Sequence, residues 1–160
     1  MRLLILSTLL LAFTLTHAIK VSDTVTVGGM SSGGFMTAQM HIAYSSLFSG
    51  ATVFEGGPYY CSLGDITRAL TNCTGDHPNI TDISILEKSM REFESQGLID
   101  ATKNLEGQKV FFFSGTQDHV IDQSVVKVNE QLYKNFGAET HHVYNMSAGH
   151  TFPTNFFGNK

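Results

Sequence analysis

The sequence has no tryptophan, three prolines and two cysteines in 160 residues, and its ten Lys and Arg are outnumbered by fourteen Asp and Glu. With a formal net charge of −4 and no basic patch, it lacks the electrostatic footprint of a nucleic-acid binder. No repeat, low-complexity stretch or linker interrupts it, so the length fits one domain. Two cysteines are too few for a disulfide scaffold, and neither has metal-site spacing; no metal site is expected. The apolar run Leu3 to Leu15 is too short to span a bilayer, and no later segment is apolar enough.

That run follows Arg2 and ends at Thr16-His17-Ala18, with small residues at the cleavage-specifying positions. Residues 1–18 read as a secretory signal peptide cut after Ala18, the rival being an uncleaved anchor. Losing Arg2 takes the net charge to −5 and leaves residues 19–160 as a single domain able to bury a core. In a secreted chain the isolated pair Cys61 and Cys73 is expected to form a disulfide. Three sequons, at Asn72, Asn79 and Asn145, fit the same address. The last lies at a strand end near His150 and is expected to stay unmodified.

Strand-like and helix-like segments alternate. Strands are expected at 24–28, 49–54, 109–113 and 140–144, and helices at 33–44, 83–96 and 124–136. In the first helix Met36, Met40 and the 42–43 pair are expected to face the sheet. Lys109-Val-Phe-Phe-Phe113 has the pattern of a strand buried on both faces. Residues 59–81 read as loop. This alternation predicts an open α/β sheet of about four mostly parallel strands with flanking helices.

Gly29-Met30-Ser31-Ser32-Gly33 fits G-x-S-x-G and stands between the first strand and the first helix, where a sharp turn exposes a serine Oγ. A serine nucleophile needs a base, and the base needs an orienting acid. Both must emerge from carboxyl ends of strands. Asp118 follows the 109–113 strand and His150 follows the last one, in the order serine, acid, histidine. Asp122 is the better helix N-cap, which frees Asp118. His41 within a helix, and His141 and His142 at the start of a strand, are weaker rivals for the base. His119 is expected to point away from Asp118.

Four blocks, Gly29 to Met36, Gly56 to Cys61, Phe113 to Asp118 and Ala148 to Thr154, resemble secreted poly(3-hydroxybutyrate) depolymerases of the α/β-hydrolase superfamily. The resemblance runs from about Val25 to Thr154. It implies ester hydrolysis in short-chain polyhydroxyalkanoates through an acyl-serine, with Ser31 as nucleophile, Asp118 as acid, His150 as base and no cofactor. The Ser32 N–H would be one oxyanion donor. Family members with so early a serine look circularly permuted, with the second donor and further strands after the histidine. Ten residues follow His150 here, so the expectation is the triad half of that fold, with an edge and apolar sheet faces uncovered. Phe152, Phe156 and Phe157 would pack toward the other half.

Glu55 to Tyr60 and the aromatic tail are the nearest pocket candidates, with Tyr59 and Tyr60 expected against a polyester or small ester. Acetyl or feruloyl carbohydrate esters are neighbouring substrate classes. A non-catalytic polymer- or protein-binding role, and a peptidase on the same fold, are the other readings. Oligomeric state is left open.

Overall fold

The structure is a computed structural model that describes residues 22–76 and 78–155. Residues 1–18, and with them the leader, lie outside the described residues, as do Phe156 and Phe157.

Four strands, β1 (Val25–Met30), β2 (Phe48–Phe54), β3 (Lys109–Phe113) and β4 (Glu139–Val143), form one sheet in sequence order, every neighbour parallel. Between them run α1 (Ser32–Ala43), α2 (Ile66–Asn72), α3 (Ile83–Ser95), a 3-10 turn (Thr102–Leu105) and α4 (Gln123–Asn135). The register aligns Met30, Phe54, Phe113 and Val143 across the sheet. What leaves the carboxyl ends of the four strands therefore leaves along one edge.

Local chemistry sets the helix starts. Asp82 accepts from the Ser84 N–H and Asp122 from the Ser124 N–H, as expected for N-caps, while Asp65 caps α2 through the Arg68 N–H. The α2 segment was expected to be loop. None of its residues is buried, and Ile66 and Leu70 are exposed, so it carries no apolar period for a sequence to reveal. It is tied down instead by the Cys61–Cys73 disulfide just beyond it.

The core lies on one face of the sheet. Ala51, Val53, Val110 and Phe112 point into it and meet Ile42 from α1, Leu86 and Met90 from α3, and Val125, Leu132 and Tyr133 from α4. Full burial of each larger side chain contributes about 1.5–3 kcal/mol. The face of α1 turned to the sheet differs from expectation: Gly34, Thr37, Ala38, His41 and Ile42 are buried, whereas Met36 and Met40 are exposed. The cause is a close approach. A Cβ at Gly34 would sit 2.6 Å from the Phe54 carbonyl oxygen, which turns the Gly34–Thr37–Ala38–His41 face to the sheet. His41 fits because Tyr133 Oη and Gln108 Oε1 satisfy its ring nitrogens at 3.0 and 2.6 Å. Burial pushes its imidazole pKa down, against a smaller upward pull from Gln108, so it sits as a neutral packing group.

The opposite face is open among the described residues. Thr52, Phe54 and Phe111 are half-buried there, and Thr26 and His141 are exposed. β3 is thus not buried on both faces. Among the described residues this face is uncovered and β1 has a strand neighbour on one side only, in line with the expected open surfaces. No helix among the described residues is long and apolar enough to cross a membrane.

Candidate active site

Ser31 stands between β1 and α1 with φ 57 and ψ −122, a backbone conformation that costs a non-glycine residue about 1–3 kcal/mol. Two hydrogen bonds clamp it: its N–H donates to the Phe54 carbonyl and its own carbonyl accepts from the Phe35 N–H, both at 2.9 Å. Glycine is required at position 29, where a Cβ would collide with the backbone of Gly33.

The acid and the histidine come from two loops laced together. The Thr116 N–H donates to the Met146 carbonyl at 2.9 Å, and the Gln117 N–H to the Ala148 carbonyl at 3.0 Å. A Cβ on Gly115 would collide with Ala148. From α4, the Gln123 side-chain amide donates to the Ser114 carbonyl at 3.2 Å and the Tyr144 carbonyl at 3.0 Å, stitching β3 and β4 beyond their last paired residues.

The three predicted residues meet. His150 Nε2 is 2.8 Å from Ser31 Oγ, and His150 Nδ1 is 3.0 Å from Asp118 Oδ2. Asp118 is buried, and its other oxygen accepts the Val120 and Ile121 N–H groups at 2.9 and 3.0 Å, which fixes the carboxylate. Such a chain of contacts lets an imidazole with its proton on Nδ1 accept the serine proton on Nε2. The rival histidines are engaged elsewhere. His119 pairs with Asp76, His142 with Glu130, and His141 lies beside Phe111.

A fourth group was not anticipated as part of this constellation. Glu55, the first residue after β2, is fully buried. Its Oε1 accepts the Thr151 N–H at 3.3 Å, and its Oε2 stands 3.2 Å from His150 Nδ1 with no hydrogen-bond partner among the described residues. Burial first, and then the charge of Asp118, push its pKa up to about 7. The signal that finds it is register: with Met30, Phe54 and Phe113 aligned, Ser31, Glu55 and Ser114 leave the sheet side by side. Glu55, Asp118 and His150 converge, each placing a side-chain oxygen or nitrogen within 4.8 Å of the others. In the arrangement described, the imidazole Nδ1 itself stands against both carboxylates.

Beside the nucleophile a groove of about 390 Å³ is lined mainly by apolar surface, including Phe35, Met36, Pro58 and Tyr60, with Ser32 on its rim and the disulfide as part of its wall. The Tyr60 N–H donates to Gln39 Oε1 at 3.1 Å, which anchors it there. Of the two tyrosines expected at a pocket, Tyr60 lines this groove, while Tyr59 is buried in the core, edge-on to Phe93. Phe152 packs on Phe54 with ring centroids 4.4 Å apart. Among the sequon asparagines, Asn79 and Asn145 are exposed, and Asn72 is half-buried with its amide donating to the Asn79 carbonyl.

No protein-family model matches the chain. It is 40% identical over 146 residues to a poly(3-hydroxybutyrate) depolymerase of Delftia acidovorans, a match covering 89% of this chain and 29% of the relative. It is 35% identical over 140 residues to a polyhydroxybutyrate depolymerase of Talaromyces funiculosus, covering 85% and 39%. The crystal structure of a PHB depolymerase from Penicillium funiculosum superposes with a TM-score of 0.73 at 31% identity, over 84% of this chain and 41% of that one. A PHB depolymerase complexed with an R3HB trimer gives the same TM-score and identity over 85% and 42%. The chain spans less than half the length of these relatives. Sequence and fold together make it a homologue of the poly(3-hydroxybutyrate) depolymerases, built on part of an α/β-hydrolase sheet.

Proposed function

We propose that the chain is a secreted serine esterase that hydrolyses ester bonds of short-chain polyhydroxyalkanoates. The observation that carries this reading is the contact chain Ser31 Oγ–His150 Nε2 and His150 Nδ1–Asp118 Oδ2, at 2.8 and 3.0 Å. In the proposed reaction His150 takes the Ser31 proton as the oxygen attacks the ester carbonyl, and Asp118 stabilises the imidazolium. The Ser32 N–H donates to the developing oxyanion. His150 then protonates the departing alkoxide. Water, deprotonated by the same imidazole, attacks the acyl-serine and releases the acid, which regenerates the Ser31 hydroxyl.

The apolar groove beside Ser32, with Tyr60 on its wall, suits the aliphatic backbone of a polyester more than a sugar ring. The relatives support the same substrate class by name, and one of them holds an R3HB trimer. Secretion after cleavage at Ala18 accords with the Cys61–Cys73 disulfide, a bond of oxidising compartments.

The test is labelling of the purified chain with a fluorophosphonate, alongside hydrolysis of 3-hydroxybutyrate oligomers, acetyl sugars and feruloyl esters. Labelling and oligomer hydrolysis are expected, both lost in Ser31→Ala. A folded protein that takes no label would replace this reading with a non-catalytic, polymer-binding one. Preference for the sugar esters would keep the mechanism and change the substrate.

A further inference from the structure

Two carboxylates converge on one imidazole nitrogen, and the triad reading uses one of them. From the other side, Glu55 Oε2 lies 3.2 Å from His150 Nδ1, against 3.0 Å for Asp118 Oδ2. Asp118 is the better held, since two backbone N–H groups fix its second oxygen. Glu55 has one long bond from the Thr151 N–H and a buried oxygen with no hydrogen bond. An orphaned buried carboxyl oxygen is costly, and a fold keeps one where it faces a group that needs it.

The backbone agrees. Glu55 holds φ 50, in the left-handed region, while its N–H donates to the Phe113 carbonyl at 2.9 Å. That strained turn carries the side chain under the imidazole. The next residue cannot bear a side chain, because a Cβ on Gly56 would lie 2.5 Å from the Gly34 carbonyl carbon.

We infer that Glu55 is a reserve acid for His150: a positioning residue that braces the imidazole beside Asp118 and takes over its Nδ1–H when the Asp118 carboxylate is removed. The titratable groups facing Glu55 are Asp118, from the loop after β3, and His150, from the loop after β4. With its pKa at about 7, Glu55 is largely protonated in mild acid and carries charge in mild base. Its support for an imidazolium is therefore strongest above neutrality. The kinetic part of this inference rests on the esterase reading; the structural part does not.

The experiment uses the full chain as wild type, Asp118→Asn, Glu55→Gln and the double variant. Fluorophosphonate labelling of Ser31 is timed from pH 6 to 8, and carboxyl-13C glutamate is followed by NMR over the same range. Asp118→Asn is expected to keep residual labelling that rises by less than about tenfold across that range, following the ionised fraction of a single carboxyl whose midpoint lies below about 7. In the double variant this rise disappears. One glutamate carboxyl resonance is expected to titrate near 7, to vanish in Glu55→Gln, and to move to lower pH in Asp118→Asn, where the neighbouring charge is gone. Equal labelling profiles for Asp118→Asn and the double variant overturn the inference, as does a glutamate midpoint that Asp118→Asn leaves in place. If wild type takes no label or the double variant does not fold, the midpoint in the single variant alone decides. The esterase reading then fails or stands independently.

Discussion

Glu55 and Glu130 are both almost inaccessible to solvent, at 0% and 4% exposed, yet they settle in opposite states. Glu130 lies in the middle of α4 and looks across to β4. Its carboxylate accepts from Thr140 Oγ1 at 2.8 Å, His142 Nδ1 at 2.9 Å and Tyr144 Oη at 3.0 Å, and pairs with Lys134 Nζ at 2.7 Å. Burial pushes its pKa up, but these four donors together outweigh burial and hold it down, at about 2. Glu55 is met by a single backbone N–H and by a second carboxylate, so burial prevails and its pKa rises to about 7. The number of donors decides the difference. A saturated carboxylate fastens a helix to a strand; an unsaturated one, set against an imidazole, is available to chemistry.

The largest expected effect comes from removing the charge that distinguishes the two environments. Asp118→Asn leaves the fold in place but removes the acid that fixes the imidazole tautomer. Labelling of Ser31 should fall steeply but by less than the roughly 10⁴-fold seen when a triad aspartate becomes asparagine, because Glu55 remains. The same change in a variant already lacking the Ser31 hydroxyl should alter nothing measurable by labelling. A loss under tenfold would mean that Asp118 is not the principal acid.

At the other glutamate the effect should fall on stability. Glu130→Ala removes the acceptor shared by Lys134, His142, Tyr144 and Thr140; Lys134 and His142 are half-exposed and turn to water, so the cost should be about 1.5–3 kcal/mol, the scale of hydrogen bonds to a charged group. Urea unfolding should show that loss while the labelling rate per folded molecule holds, because the four groups bonded to Glu130 are separate from the contacts that join Ser31, His150 and Asp118. The pH dependence carries a definite sign. Glu130 titrates lower in the folded protein than in the unfolded chain, so its stabilisation is complete above pH 4.5. It drains away as pH falls toward 2, about 3 kcal/mol in all. A Glu130→Gln protein should lose that acid slope, and an unchanged slope would dissolve the contrast with Glu55.

The contrast also marks what a sequence reveals. Strand positions came within two residues because Val25 to Val27, Lys109 to Phe113 and their partners carry apolar patterns and turn residues that belong to strands. Parallel strands then place Ser31, Asp118 and His150 along one edge, which is why a reading of strand ends reaches all three. Glu55 lies at the same edge, directly after β2, but no motif assigns it to the imidazole, and its contact with His150 depends on how the strand ends align. The orientation of α1 was missed for a related reason: the Gly34 approach to Phe54 overrides the apolar stripe of Met36 and Met40. α2 was missed because nothing in it is buried. Tyr59 and Tyr60 are identical in composition and adjacent in sequence, yet one serves the core and the other the groove.

The stability effect of opposite sign belongs to Glu55. Its pKa is higher in the folded protein, at about 7, than in the unfolded chain, so between pH 4.5 and 7 the folded state binds the extra proton. Stability attributable to this group therefore falls as pH rises through that window, by about 3 kcal/mol, and stays low above it. Glu55→Gln cannot ionise and preserves the shape of the neutral carboxyl. The variant should match wild type near pH 5 and exceed it in thermal midpoint above pH 7, even as its labelling rate drops several-fold. A protein that becomes more stable as it becomes less reactive is the expected signature of a carboxyl retained for its action on His150. Were Glu55→Gln instead less stable at pH 8, Glu55 would be a fastener like Glu130, and its nearness to the imidazole a consequence of packing.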